Sequence, residues 1–155
     1  MRRFALALLF VACAACEEEP TPPTIGIDVS PVNLGVHLVD LDAGPYTFNL
    51  QLYNSGEEKL VIDSVVYRGD TNCAFSFEGP DLLEMGENEA SFVRGYYDPT
   101  IPAVDQIAME VASNASNFPM LIVPICARAV PDGVADAGAP ECEVPPLGQA
   151  DCEEP

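Results

Sequence analysis

The chain has 155 residues, with 25 Asp and Glu against six Lys and Arg, for a formal net charge of −19. Charge of that sign and size repels nucleic acid and anionic headgroups and counts against both as partners. One histidine, His37, and no tryptophan leave little room for histidine chemistry or for aromatic ligand platforms.

The chain opens on an export signal. Arg2 and Arg3 form a charged n-region, Phe4 to Ala12 an apolar h-region, and small residues lead into cysteine. The run is shorter than the roughly 20 apolar residues of a spanning helix. It predicts a cleaved signal over residues 1–15 and a mature chain anchored by lipid on a cysteine in a bacterial cell envelope, with the outer membrane as the expected site. Cys13 follows Phe10-Val11-Ala12, and Cys16 follows Cys13-Ala14-Ala15. A chain starting at Cys16 keeps Cys73, Cys126, Cys142 and Cys152, an even set suited to disulfides in an oxidising compartment. A start at Cys13 leaves an odd thiol. Parity therefore favours lipid on Cys16, with Cys13 second and an ordinary secretory signal third. Loss of Arg2 and Arg3 with the signal takes the formal charge from −19 to −21.

Residues 16–24 are acidic and Pro-rich and predict a short extended tether. Residues 131–155, built from Ala, Gly, Pro, Asp and Glu, carry too few large apolar side chains to bury a core and are expected to be disordered, apart from a Cys142–Cys152 loop. Between them, residues 25–130 have the size of one domain.

Inside that domain the apolar period is two. Tyr46 to Tyr53 alternates strictly, sending Tyr46, Phe48, Leu50 and Leu52 to one face and Thr47, Asn49 and Gln51 to the other. Further strands are expected at 25–29, 32–38, 60–67, 74–77, 90–97, 106–112 and 120–129. Turn signals separate them, among them Asn54-Ser55-Gly56, Glu78-Gly79-Pro80, Met85 to Asn88 and Ser113-Asn114. Seven or eight short strands without a helix predict an all-β, immunoglobulin-like antiparallel sandwich, with a small barrel as the alternative.

Several runs carry a family resemblance. Ser30-Pro31, Asn33-Leu34-Gly35, Leu52 to Gly56, Leu60-Val61-Ile62 and Val65 are followed by Phe75-Ser76-Phe77, Gly86, Tyr97-Asp98-Pro99, Ser113-Asn114, Asn117-Phe118-Pro119 and Val123-Pro124-Ile125. In that order, over residues 27–130, the chain resembles ASH-type domains, the abnormal-spindle, major-sperm-protein and Hydin-like group that includes choice-of-anchor D domains. Leu34, Gly95 and Ala127 depart from the pattern. The resemblance implies a scaffold or interaction module with no shared catalytic residues, acting through an edge strand or a loop face.

The candidate chemical sites are weak. His37 sits in an apolar strand beside no nucleophile and is read as structural or surface. Asp40-Leu41-Asp42-Ala43-Gly44 would need an acidic residue at its twelfth position to be a calcium loop and has Gln51, so it is read as a solvated turn. Asp132 and Asp136 lack cage spacing. Glu57, Glu58, Glu84, Glu87 and Glu110 form no acid–base pair. Asn114-Ala115-Ser116 matches a glycosylation acceptor, which in a bacterial lipoprotein is read as a turn. The cysteines lack close C-x-x-C spacing, which disfavours zinc. Of three connectivities the preferred one is 73–126 with 142–152, worth roughly 4 and 2.7 kcal/mol on the chain-entropy model. Buried free thiols at Cys73 and Cys126 are the alternative.

The sequence thus predicts a lipid-anchored envelope protein without cofactor or metal, whose sandwich is a non-catalytic interaction or structural module for an envelope protein partner. The alternative is a carbohydrate- or small-ligand-binding lipoprotein, which would need aromatics gathered on one face. Tyr53, Tyr67, Tyr96 and Tyr97 are the candidates by strand parity.

Overall fold

The computed structural model describes residues 19–40, 44–69, 72–134 and 138–145. The signal, both candidate lipid cysteines, Cys152, Asp42 and Asp136 lie outside the described residues. Nine strands follow in chain order: β1 (Ile25–Ile27), β2 (Val32–Leu38), β3 (Tyr46–Asn54), β4 (Leu60–Arg68), β5 (Phe75–Glu78), β6 (Glu84–Met85), β7 (Ala90–Tyr97), β8 (Val104–Ser113) and β9 (Met120–Val130).

They form two facing sheets, ordered β1-β3-β7-β5 and β2-β9-β8-β4-β6. Lettered in chain order, with β1 and β2 as halves of one first strand, these are the ABED and GFC sheets of an immunoglobulin sandwich. The expected fold class therefore holds, with two amendments. The sandwich is not wholly antiparallel, because β2 pairs parallel with β9. The chain starts antiparallel to β3, from Ile25↔Asn54 to Ile27↔Leu52, then hops at residues 28–31 to the other sheet without reversing. The second amendment is β6, a two-residue strand pairing Met85 with Leu60 where the sequence suggests only a turn.

Period two builds the core. Leu50, Leu52 and Val93 of the first sheet meet Leu60, Ile62, Met109, Val111, Val123 and Ile125 of the second. Each fully buried aliphatic side chain contributes about 1.5–3 kcal/mol. Gly95, out of pattern for a strand, faces inward opposite Phe48, and a Cβ there would come within 2.1 Å of the Phe48 ring. The glycine makes room for an aromatic layer in which Phe48 meets Phe77 edge-on and Tyr67 stacks on Phe77 at 4.0 Å.

Both flanks differ from expectation. Residues 21–24 are docked. The Thr21 carbonyl accepts the N–H groups of Glu57 and Glu58, Thr24 O accepts Ser55 N–H, and Pro23 O accepts Ser116 N–H at 2.8 Å. Gly56 is required here because a Cβ would lie 2.1 Å from the Pro22 carbonyl oxygen. On the C-terminal side, residues 138–145 form a strap over the outer face of the five-stranded sheet rather than a disordered tail. Asn33 Nδ2 donates to Pro140 O at 2.6 Å, Gln106 Nε2 donates to Glu141 O at 3.0 Å, and Pro145 packs against Gly69.

The preferred disulfide pairing is corrected by this strap. Cys126 bonds to Cys142, with Cα atoms 5.3 Å apart, which excludes both 73–126 and 142–152. Val123, Ile125 and Ala127 point into the core, so Cys126 points outward, where the strap passes. Cys73 is itself disulfide-bonded, so neither cysteine is a buried free thiol.

Candidate interaction surface

Three asparagines organise one end of the sandwich, the clasp pole, where β3 ends and β4 begins. Asn54 is 1 % exposed. Its Oδ1 accepts the N–H groups of Thr24 and Gly56, and its Nδ2 donates to the carbonyls of Glu58, Met85 and Gly86. One side chain thus joins the docked segment, the β3–β4 turn and the β6–β7 turn. Asn114 accepts Val61 N–H at 2.7 Å and donates to Lys59 O, tying the β8–β9 loop to β4. Its side chain serves as a turn brace. Asn117 donates to Ile25 O at 2.7 Å and accepts Ile25 N–H at 3.0 Å, so one amide stands in for a neighbouring strand along the free side of β1.

Past that cap the edge of β1 opens into a shallow groove of about 450 Å³ lined by Gly26, Ile27, Tyr53, Asn117, Phe118 and Leu121, among others. The Tyr53 ring lies across Gly26 and forms one wall. Phe118, 53 % exposed, forms the other. Among the described residues none that lines it is charged. In a chain of net charge −19 this is a local reversal of surface character, and depletion of charge with aromatic enrichment marks the centre of protein interfaces.

The sequence-derived candidates scatter. Tyr53 and Tyr96 lie on the outer face of the four-stranded sheet, Tyr97 is fully buried, and Tyr67 is packed inside against Phe77. The four tyrosines therefore do not form one ligand platform. Burial pushes the Tyr67 phenol up to about 12, and its hydroxyl has no hydrogen-bond partner among the described residues. His37 packs its ring on Tyr46 at 4.2 Å and near Tyr97 at 5.5 Å, with Nε2 2.8 Å from Leu34 O. Gln51 sits inside β3, so the segment from Asp40 is not a twelve-residue loop. Glu84 pairs with Lys59 and Glu110 with Arg68, while Glu57 accepts Thr21 N–H. Among the described residues no three of His, Cys, Asp or Glu gather to hold a metal ion.

The remaining buried polar groups also hold structure together. Tyr97 OH donates to Asp105 at 2.6 Å, Asn72 donates to the other Asp105 oxygen, Ser91 Oγ accepts Leu82 N–H, and Ser113 Oγ accepts Ala115 N–H. Sequence reasoning missed the groove because its walls come from residues 24–30, 53–55 and 117–121, which only the sheet pairing brings together.

No protein-family model and no curated protein matches the chain. Solved structures do. A protein of unknown function from Porphyromonas gingivalis W83 superposes with a TM-score of 0.56 at 18% identity over 68% of this chain. The secreted serine protease VesC from Vibrio cholerae superposes at 0.54 with 15% identity, also over 68%. This chain spans 46% and 23% of the lengths of those two. The ASH / PapD-like domain 7 of human CEP192 is matched at 0.45 and 11% identity, over 84% of this chain and 99% of that domain. For the first two, likeness at these identities is likeness of fold.

Proposed function

We propose that the protein is a bacterial envelope lipoprotein, acylated on Cys16, whose single ASH-type sandwich is a non-catalytic interaction module docking an envelope protein along the β1 edge. The observation that carries the docking reading is the uncharged groove between Tyr53 and Phe118 in a strongly acidic chain. Support comes also from the buried polar side chains, which brace loops and strands. A short edge strand capped by Asn117 and flanked by aromatic walls suits a partner's extended segment or apolar side chains.

Two measurements test it. Intact mass of protein extracted from native membranes should match a chain from Cys16 plus acyl groups, and an unacylated chain would remove the anchor. Photo-crosslinking in living cells from position 118, with position 49 on the outer face of β3 as control, should give an adduct specific to 118. Equal adducts from both positions would remove the groove as the docking site.

A further inference from the structure

We infer that the sandwich stands on its membrane with the clasp pole toward the lipid and the opposite pole, where β7 ends and β8 begins, presented outward. This rests on the lipid-anchor reading and adds an orientation to it.

The argument is one of lengths. Pro22 and Pro23 lie over Gly56, and Thr21 is hydrogen-bonded through both its N–H and its carbonyl to the β3–β4 turn. Among the described residues the first docked one after Cys16 is therefore Thr21, five residue steps on. Five residue steps reach at most about 17 Å. From the clasp pole, β3 runs nine residues to the far pole, about 30 Å at ~3.4 Å per residue. A tether shorter than the sandwich is long cannot let the far pole rest on the bilayer while Thr21 stays docked.

Charge sets the spacing. Glu57, Glu58, Glu87 and Glu89 are exposed on the clasp pole. They oppose adsorption to anionic headgroups and favour a hydrated gap whose width the linker limits. The groove beside Phe118 is then close to the lipid, and its partner must reach the same membrane surface.

The test uses full-length protein from native membranes, with acylation first verified by mass, placed in phosphatidylcholine vesicles carrying a lipid-linked acceptor dye. A donor is attached through a bioorthogonal side chain at position 58 on the clasp pole or at position 100 on the far pole. Energy transfer should be several-fold greater from 58 than from 100. A twenty-residue Gly/Ser insertion between Glu19 and Pro20, a coil of about 25 Å, should shrink that difference. Equal transfer in the unmodified chain, or a difference untouched by the insertion, overturns the orientation while leaving the anchor intact. A mass without acyl groups instead overturns the anchor reading, and the orientation falls with it.

Discussion

The N-terminal clasp and the C-terminal strap both come from Pro-rich, acidic segments, yet they are held by different physics. The clasp is a mesh of backbone hydrogen bonds converging on Asn54 and on the bare backbone of Gly56. Among the described residues the strap is held by two side-chain hydrogen bonds, the packing of Pro145 on Gly69 and one covalent bond. A mesh fails together when its hub is removed, because each orphaned buried group costs about 1–3 kcal/mol. A covalent strap fails only when its bond does, and it acts chiefly on the unfolded chain. The clasp should therefore be cooperative with the fold, and the strap separable from it.

The largest expected effect is at the hub. Asn54→Ala should destabilise by about 3–4 kcal/mol, read as a lower urea midpoint, and hydrogen exchange should show the N–H groups of Thr24 and Gly56 losing protection together. If Thr24 alone loses protection, the clasp is not a unit. Next is the double change Cys126→Ser with Cys142→Ser. For a sequence separation of 16 it should cost about 3 kcal/mol while leaving amide protection in residues 21–25 unchanged. Loss of clasp protection there would show that the ends are coupled. Gly56→Ala, which puts a methyl into the Pro22 carbonyl, should cost about 2 kcal/mol and expose the Pro22-Pro23 segment to proteolysis.

Smaller effects bracket these. Tyr67→Phe removes a buried hydroxyl without a partner among the described residues and should be neutral or stabilising by up to about 1 kcal/mol at neutral pH. The Tyr67 phenol is held protonated in the fold up to about 12, against 10.0 normally, so its contribution is fully present below pH 10 and lost as pH rises from 10 toward 12. The variant should lack that part of the alkaline decline, and an identical pH profile for both proteins would refute the assignment. Last, Lys59→Met at the exposed pair with Glu84 should leave the thermal midpoint unchanged within error, since exposed ion pairs contribute little.

The strands were legible because period two is a local signal: Tyr46 to Tyr53 shows which side of β3 is buried without reference to any other strand. The hop from β1 to β2 was not, since nothing in residues 28–31 states which sheet the next strand joins. Asn54 and Asn114 read correctly as turn formers, while Asn117 entered only through the family resemblance; their partners lie up to 92 residues away, so the bracing role of all three needed the fold. The groove was hidden for the same reason. The disulfide could have been read better: the parity that sends Val123, Ile125 and Ala127 inward already turns Cys126 outward. Gly95 looked like a defect in β7 because its justification, the Phe48 ring, belongs to another strand.

The Cys126–Cys142 bond also gives the molecule a mechanical character. Tension applied between the N-terminal end and the strap would enter along the axis of β1 and leave through β9 at Cys126, bypassing the stretch from Ala127 to Glu141. Pairs loaded along their strands, β1 on β3 and β2 on β9, must break several hydrogen bonds at once rather than unzip one by one. Pulled between these two ends, the sandwich would resist as a stiff shear joint, and reduction of the Cys126–Cys142 bond would lengthen it by the chain from 131 to 141, about 40 Å when extended, with β9 still in its ladder.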